Sequence, residues 1–269
     1  TLARVMAPQL SALWGQQVII ENKPGASGHI GADFVAQSAS DGHTLLMAST
    51  AALNEKNTPQ FAPISLVSAS SYVVTVNAKL GISSIRELIA MAKVNPGKLS
   101  FGSSGNGAAS HLTAELFKAQ AGVDLLHVPY KGTGQALTDL VSGQVSLMFA
   151  PAQTVMQHVQ AGRLKALAVT SSKRSEIMPT ILTVAESGVP NYAAVGWFGL
   201  LAPAGTPKTV VNKISQDAAR VLAQKETKDK LLALGSEPES SSPEAFSAFI
   251  KEDQAKWAKL MREQGIRAD

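Results

Sequence analysis

Apolar positions along the chain follow two rhythms, and each predicts a kind of element. Leu2, Val5, Met6, Leu10 and Leu13 recur at helical spacing until Gly15. A β-branched run, Val18 to Ile20, leads to a turn at Pro24-Gly25, with Ser27 as N-cap and Ile30, Phe34 and Val35 as the buried side of a second helix. Asp41-Gly42 turns the chain into TLLMAS, a buried strand ending at Ser49 and Thr50. Residues 51 to 63 are polar and irregular, while Ile64 to Val67 and Tyr72 to Val76 read as two strands. Ser84 with Glu87 fits a capping box ahead of Leu88, Ile89 and Ala92, and Asn95-Pro96-Gly97 stops that helix.

From Leu99 the alternation is regular. Strands fall at 99–102, 125–128, 145–149 and 165–170, with helices near 108–120, 133–142 and 153–161. Helices of about ten residues between short buried strands imply right-handed βαβ units and a mostly parallel sheet. After a Pro-rich and Gly-rich passage through Pro190, Ala194 to Leu201 reads as a strand returning from one lobe to another, with Trp197 and Phe198 as core of the crossover or, alternatively, as ligand stackers. Thr206 caps a helix with Pro207 at its first position and Val210, Val211, Ile214, Ala218, Val221 and Leu222 on one face. A short helix at 227–234 stops at Gly235; Ser242-Pro243 repeats the cap, and Phe246, Phe249, Ile250, Trp257, Leu260 and Met261 stripe the last helix. Strand, small-residue loop and helix recur in both halves, which predicts two similar α/β lobes.

Composition narrows the function. A length of 269 residues suffices for two lobes, and 45% hydrophobic with 16% charged residues is an ordinary globular balance. No apolar run reaches the roughly 18 residues that span a bilayer. The net charge of +4 favours anionic partners, yet the basic residues are dispersed, so nucleic acid is not indicated. The absence of cysteine removes disulfides, thiolate catalysis and zinc-cysteine sites. The chain opens at Thr1, without Met and inside a helical pattern, so a removed secretory signal is expected upstream.

Candidate chemistry is densest in LSFGSSGNGAASH, residues 99–111. Gly102, Gly105 and Gly107 let backbone approach a ligand, and Ser103, Ser104 and Asn106 add short donors ahead of a helix N-terminus. Such a turn suits a carboxylate or phosphate; the alternative is a strand-to-helix connection whose glycines serve only the turn. His111, one turn into the helix, is expected either to orient this loop or to be structural. HVPYKGTGQA puts Tyr130, Lys131 and Gly132 at the start of another helix, and MFAPAQT brings Ala150 and Pro151 to the same edge as a possible apolar wall. Lys131 reads equally as a solvated surface charge, and Ser49 and Thr50 as ligand hydroxyls or as a cap of the next turn.

Enzyme motifs fail. Around Ser27 and Ser104 the nucleophile elbow has His29 and Asn106 where glycine is required. The histidines, at 29, 43, 111, 127 and 158, lack metal-ligand spacing, so no metal is indicated. Gly105 to Ser110 approaches a dinucleotide fingerprint but lacks its third glycine, and the next strand ends in Pro129-Tyr130-Lys131 rather than an acidic residue. No phosphate-loop lysine motif occurs. No cofactor is implied.

ENKPGASGHIGA, DGHTLL, FAPISLV, NPGKLSFGSSGNGAASHLTAELF, HVPYKGTGQALTDLVSGQV, TVAESGVP, APAGTP and SSPEAFSAFI occur in that order over most of the chain. As a set they resemble the extracytoplasmic solute-binding receptors of the tripartite tricarboxylate transporter type, the Bug family. The resemblance implies a two-lobed α/β periplasmic binding protein of the Venus-flytrap type (type II), each lobe a mostly parallel sheet flanked by helices. Lobe one would hold 1–100 and 199–269, and lobe two 101–198, with hinge closure around a carboxylate in the interlobe cleft. The loop at Ser103, Ser104, Gly105, Asn106 and Gly107 matches one arm of the family's two-loop pincer. The other arm, a Gly-rich loop after an N-terminal strand, is not in this sequence, and the stretch after Asn54 is shorter than usual. The natural protein is expected to carry these pieces, because the rest of lobe one keeps its core pattern. The implied function is periplasmic capture of a small organic carboxylate by a monomer and its delivery to membrane transporter subunits. A ligand sensor serving a signalling protein is the alternative, and an enzyme is the weakest reading.

Overall fold

The computed structural model describes residues 2–25 and 28–266; the expected cap Ser27 lies outside the described residues. The chain packs as two compact units, residues 1–69 with 196–255 and residues 70–195 with 256–269. The division falls about thirty residues earlier than the expected boundary at 100, and the last helix is shared.

The shift has one cause. The two strands expected at 64–67 and 72–76 are one, β2 (Phe61–Asn77), whose first half belongs to the first unit and whose second half belongs to the second. The small polar residues Ser68 to Ser71 read as a break, but Ser68 and Ala69 stay extended by pairing with β8 (Glu237–Pro238). From Tyr72 onward β2 pairs with β5 (Leu147–Pro151) and β6 (Leu164–Val169). The helix that follows, α3 (Ile85–Val94), is thereby placed in the second core. Its capping box is present in modified form: Ser84 Oγ accepts from the Glu87 N–H at 3.2 Å, while the Glu87 carboxylate accepts from the N–H of Ser83, one residue earlier than in the standard box, at 2.7 Å.

In the second unit β3 (Ser100–Ser103) runs parallel to β4 (Leu126–Pro129) and β5, whereas β2 is antiparallel to β5 and β6. Four strands therefore point one way and the crossing strand runs against them. Side-chain alternation assigns the two faces: Val74, Val76, Leu147 and Phe149 join one core with Phe101, Phe117 of α4 (Ala109–Ala121) and Tyr192, while Val73, Met148 and Ala150 join another with residues of α5 (Thr133–Ser142) and α6 (Ala152–Gln160). Phe101, Phe117 and Phe149 are fully buried, each worth about 1.5–3 kcal/mol.

In the first unit β1 (Leu46–Ser49) pairs antiparallel with β7 (Val195–Pro203), and the pairing of β2 with β8 is antiparallel too, so these two first-unit pairings depart from the mostly parallel sheet expected for each lobe, whereas the second unit carries the parallel pairings of β3 with β4 and β5. The physical reason is that β7 returns to the first unit from the second and meets β1 head to tail. Gly199 on β7 is required by packing, since a Cβ there would stand 2.1 Å from the Phe246 ring of α9 (Pro243–Gln264). Helix α1 (Leu2–Trp14) is tied to α7 (Lys208–Leu222) by the Trp14 indole, which donates to Asp217 at 2.8 Å. Thr206 does not cap α7; its hydroxyl donates to the Pro203 carbonyl, and the helix starts one residue later than expected. In α2 (His29–Ala36) Val35 is buried as expected, together with Ala32, while Ile30 and Phe34 are exposed, contrary to expectation; the Phe34 ring is covered instead by the Lys23 ammonium at 4.3 Å. The short helix α8 (Lys225–Ala233) and the Ser242 cap on α9 agree with the sequence. Trp197 is buried, its indole donating to Asp253 at 2.9 Å.

Candidate functional site

Because β3, β4 and β5 are parallel, their carboxyl ends lie along one edge of the sheet, and each leads into a helix. That edge is where open α/β sheets place ligands. It gathers Ser103 to Gly107 after β3, Tyr130 to Gly132 after β4, and Ala150 and Pro151 at the end of β5. The Tyr130 N–H donates to the Ser103 carbonyl at 3.1 Å, which joins the first two loops.

The loop after β3 is held by its own polar groups and by side chains of α4 and β4. The Ser104 N–H donates to Ser110 Oγ (3.0 Å), the Gly105 N–H to Ser103 Oγ (3.2 Å), the Gly107 N–H to His111 Nδ1 (3.0 Å) and the Ala108 N–H to the Gly105 carbonyl (3.3 Å). Gly105 has φ of 138°, a conformation that a Cβ would strain. Ser103, expected as a ligand donor, is fully buried; its hydroxyl lies 2.6 Å from His127 Nε2 and 3.1 Å from the Gly105 carbonyl, so its single proton is engaged inside the protein. The Ser104 hydroxyl meets Ser110 Oγ at 3.1 Å and is half-buried, and Asn106 is exposed. Beyond the loop, the first-turn N–H groups of α4, on Ala109, Ser110 and His111, have no carbonyl of their own helix to meet. They supply the positive end of the helix dipole to this edge.

The other candidates divide. Gly132, with φ of 131°, starts α5, and Lys131 is exposed beside it. The Tyr130 hydroxyl donates to Asp139 at 2.7 Å; burial and that bond push its phenol up to about 12. Ala150 does not form a ligand-facing wall, because β5 is an interior strand and its methyl group is fully buried in the core under α5 and α6; Pro151 is half-buried at the start of α6. Ser49 and Thr50 belong to the first unit, where Ser49 ends β1 and Thr50 opens the turn after it, and Thr50 Oγ accepts a long 3.4 Å bond from the Trp197 N–H.

Beneath the β3 loop lies a feature that sequence reasoning half missed. Phe101, His127 and His111 stack in that order, with ring centroids 4.8 and 3.8 Å apart and planes within 17° and 8°. His111 orients the loop, as one of its two expected roles required. In the sequence His127 reads as one more scattered histidine, and its only signal is its place on the strand beside β3. Burial, with His111 alongside, pushes the His127 imidazole down to about 4. On α4, Glu115 Oε1 lies 3.7 Å from His111 Nε2 and 2.8 Å from Lys118 Nζ. Burial opposes the Glu115 charge, but the bonds from His111 and Lys118 outweigh it and hold the carboxyl below its usual value. Asn106, His111, Glu115 and Lys118 line one side of a polar cavity of about 460 Å³, and Gln264 to Ile266 line the other. Among the described residues no cluster of His, Asp or Glu has the geometry of a metal site.

The sequence pattern of the family described as "Tripartite tricarboxylate transporter family receptor" matches residues 2–266. The chain belongs to this receptor family. It is 34% identical to protein BugT of Bordetella pertussis, over 99% of this chain and 85% of BugT. Among solved structures it resembles a TctC solute-binding protein from Polaromonas without ligand, with a TM-score of 0.89 and 27% identity over 97% of this chain and 92% of that one. It also resembles Rpa4515 of R. palustris, solved with adipate, with a TM-score of 0.76 and 32% identity over 98% and 92% of the two chains. The receptor is thus a solute-binding protein of the periplasmic binding-protein fold and not an enzyme. None of its described helices is long and apolar enough to cross a membrane.

Proposed function

We propose that this receptor captures a small organic carboxylate in the periplasm and hands it to the membrane subunits of a tripartite transporter. One observation carries the reading: the loop of Ser103 to Gly107 is folded onto the N-terminus of α4 at the carboxyl edge of three parallel strands. A carboxylate suits that place, because helix-start N–H groups and a dipole end favour an anion that accepts several hydrogen bonds. The Ser104 hydroxyl, the Asn106 amide and the first-turn N–H groups of α4 are its contacts in this reading, with Tyr130, Lys131, Gly132 and Pro151 around it. Ser49 and Thr50 are the candidates of the first unit. The adipate in Rpa4515 supports the ligand class.

Calorimetry against di- and tricarboxylates, acidic amino acids and aromatic acids tests the proposal. At least one acid is expected to bind, and S104A combined with N106A is expected to weaken it about tenfold or more without lowering the melting temperature of the unliganded protein. Failure of every acid to bind at millimolar concentration overturns the ligand class. Unchanged affinity in the double variant moves the site elsewhere.

A further inference from the structure

We propose that His111 and His127 are positioning residues that clamp the 103–107 loop at both ends and so fix which donors it offers to an anion; the consequence for binding rests on the carboxylate reading above. The geometry is specific. His127 Nε2 holds Ser103 at the start of the loop, and His111 Nδ1 accepts the N–H of Gly107 at its end. The two rings lie face to face 3.8 Å apart, so neither end moves without disturbing the other. Phe101 backs the stack on one side.

Accepting from Gly107 fixes the tautomer of His111. Its Nδ1 carries no proton, so the ring proton sits on Nε2, on the side of the Glu115 carboxylate. Glu115 in turn is bonded to Lys118, so the ring is oriented by a partner that is itself held. Together with the contacts of Ser104 to Ser110 and Ala108 to Gly105, the clamp commits four of the backbone donors between residues 104 and 108, those of Ser104, Gly105, Gly107 and Ala108. An incoming anion then meets the first-turn N–H groups of α4 already aimed, rather than a loop it must order at an entropic cost.

Isosteric variants of the full mature protein separate positioning from packing. H111N places an oxygen near the Nδ1 position, whereas H111L fills similar space without an acceptor. H127Q offers a polar atom at the Nε2 position, whereas H127F keeps the stack and releases Ser103. Amide hydrogen exchange, read without ligand, is expected to speed up about tenfold at Gly107 in H111L and at Gly105 in H127F, with H111N and H127Q staying within about threefold of wild type. The affinity for adipate is expected to fall in the same two variants and to recover in their isosteres. The clamp is overturned if H111L and H127F exchange at the wild-type rate, or if the isosteres exchange as fast as the apolar variants. Should H111L not fold, H127F against H127Q decides by itself. A wild-type protein that binds neither adipate nor any other acid sinks the carboxylate reading alone, because the exchange rates at Gly105 and Gly107 judge the clamp without a ligand.

Discussion

The turn after β3 and the turn after β1 begin alike, as an apolar strand ending in two hydroxyl residues, yet they are built to different standards. After β3 the hydroxyl of Ser103 is buried and touches His127 and Gly105, and that of Ser110 serves Ser104. After β1 the chain enters a short 3₁₀ turn, Thr50 to Ala52, where Thr50 makes one long bond to the backbone of Trp197. Polar residues at a strand end are therefore not equivalent. Some organise the loop and are unavailable to a ligand, and only the surrounding contacts tell which.

The contrast can be broken from the second unit first. Removing the buried Glu115 carboxylate in E115A takes away the anchor of Lys118 and His111 and is expected to cost about 2–3 kcal/mol in urea denaturation. S103A, which leaves the Gly105 N–H and the His127 ring without their partner, is expected to cost about 1–2 kcal/mol by the same measurement. Acid should follow. The folded His127 titrates near 4 rather than 6.5, so the unfolded chain binds more protons between those values and stability declines as pH falls from 6.5 to 4. The loss is expected to be about 1 kcal/mol, since the ring is only partly shielded from solvent, and melting curves of H127Q should show a shallower slope over that window. Glu115, its folded carboxyl held low, adds a further loss at still lower pH, where it too must take a proton. The smallest effect is reserved for the first unit. T50V removes a 3.4 Å contact and is expected to change stability by less than about 0.5 kcal/mol. A larger cost at Thr50 than at Ser103 would reverse the contrast.

Much of the second unit is legible in the sequence alone. Its strands and helices from Ser100 to Val169 lie within about two residues of their expected positions, because alternating short apolar runs and amphipathic helices write their own periods into the sequence. The long strand β2 was not legible, since Ser68 to Ser71 break the apolar pattern and find their partners about 100 or more residues away, such as Pro238 for Ser68 and Ser171 for Ser71. The buried face of α2 was legible only in part, since of the expected Ile30, Phe34 and Val35 packing kept Val35 and added Ala32, leaving Ile30 and Phe34 exposed. Within the site, the loop and its glycines were visible; the roles of Ser103 and Ala150 were misjudged because burial is not a local property.

By itself the sequence determined the kinds of elements, their order, the small-residue loop before α4 and the family, since each of these depends on neighbours along the chain or on motifs in series. Tertiary structure alone decided that β2 serves two units, and that two histidines sixteen residues apart stack on each other beneath the loop. The reason is physical. Local periodicity fixes which way a side chain leaves its own strand or helix, whereas the atoms it then meets are supplied by another element, and no spacing within one segment encodes them.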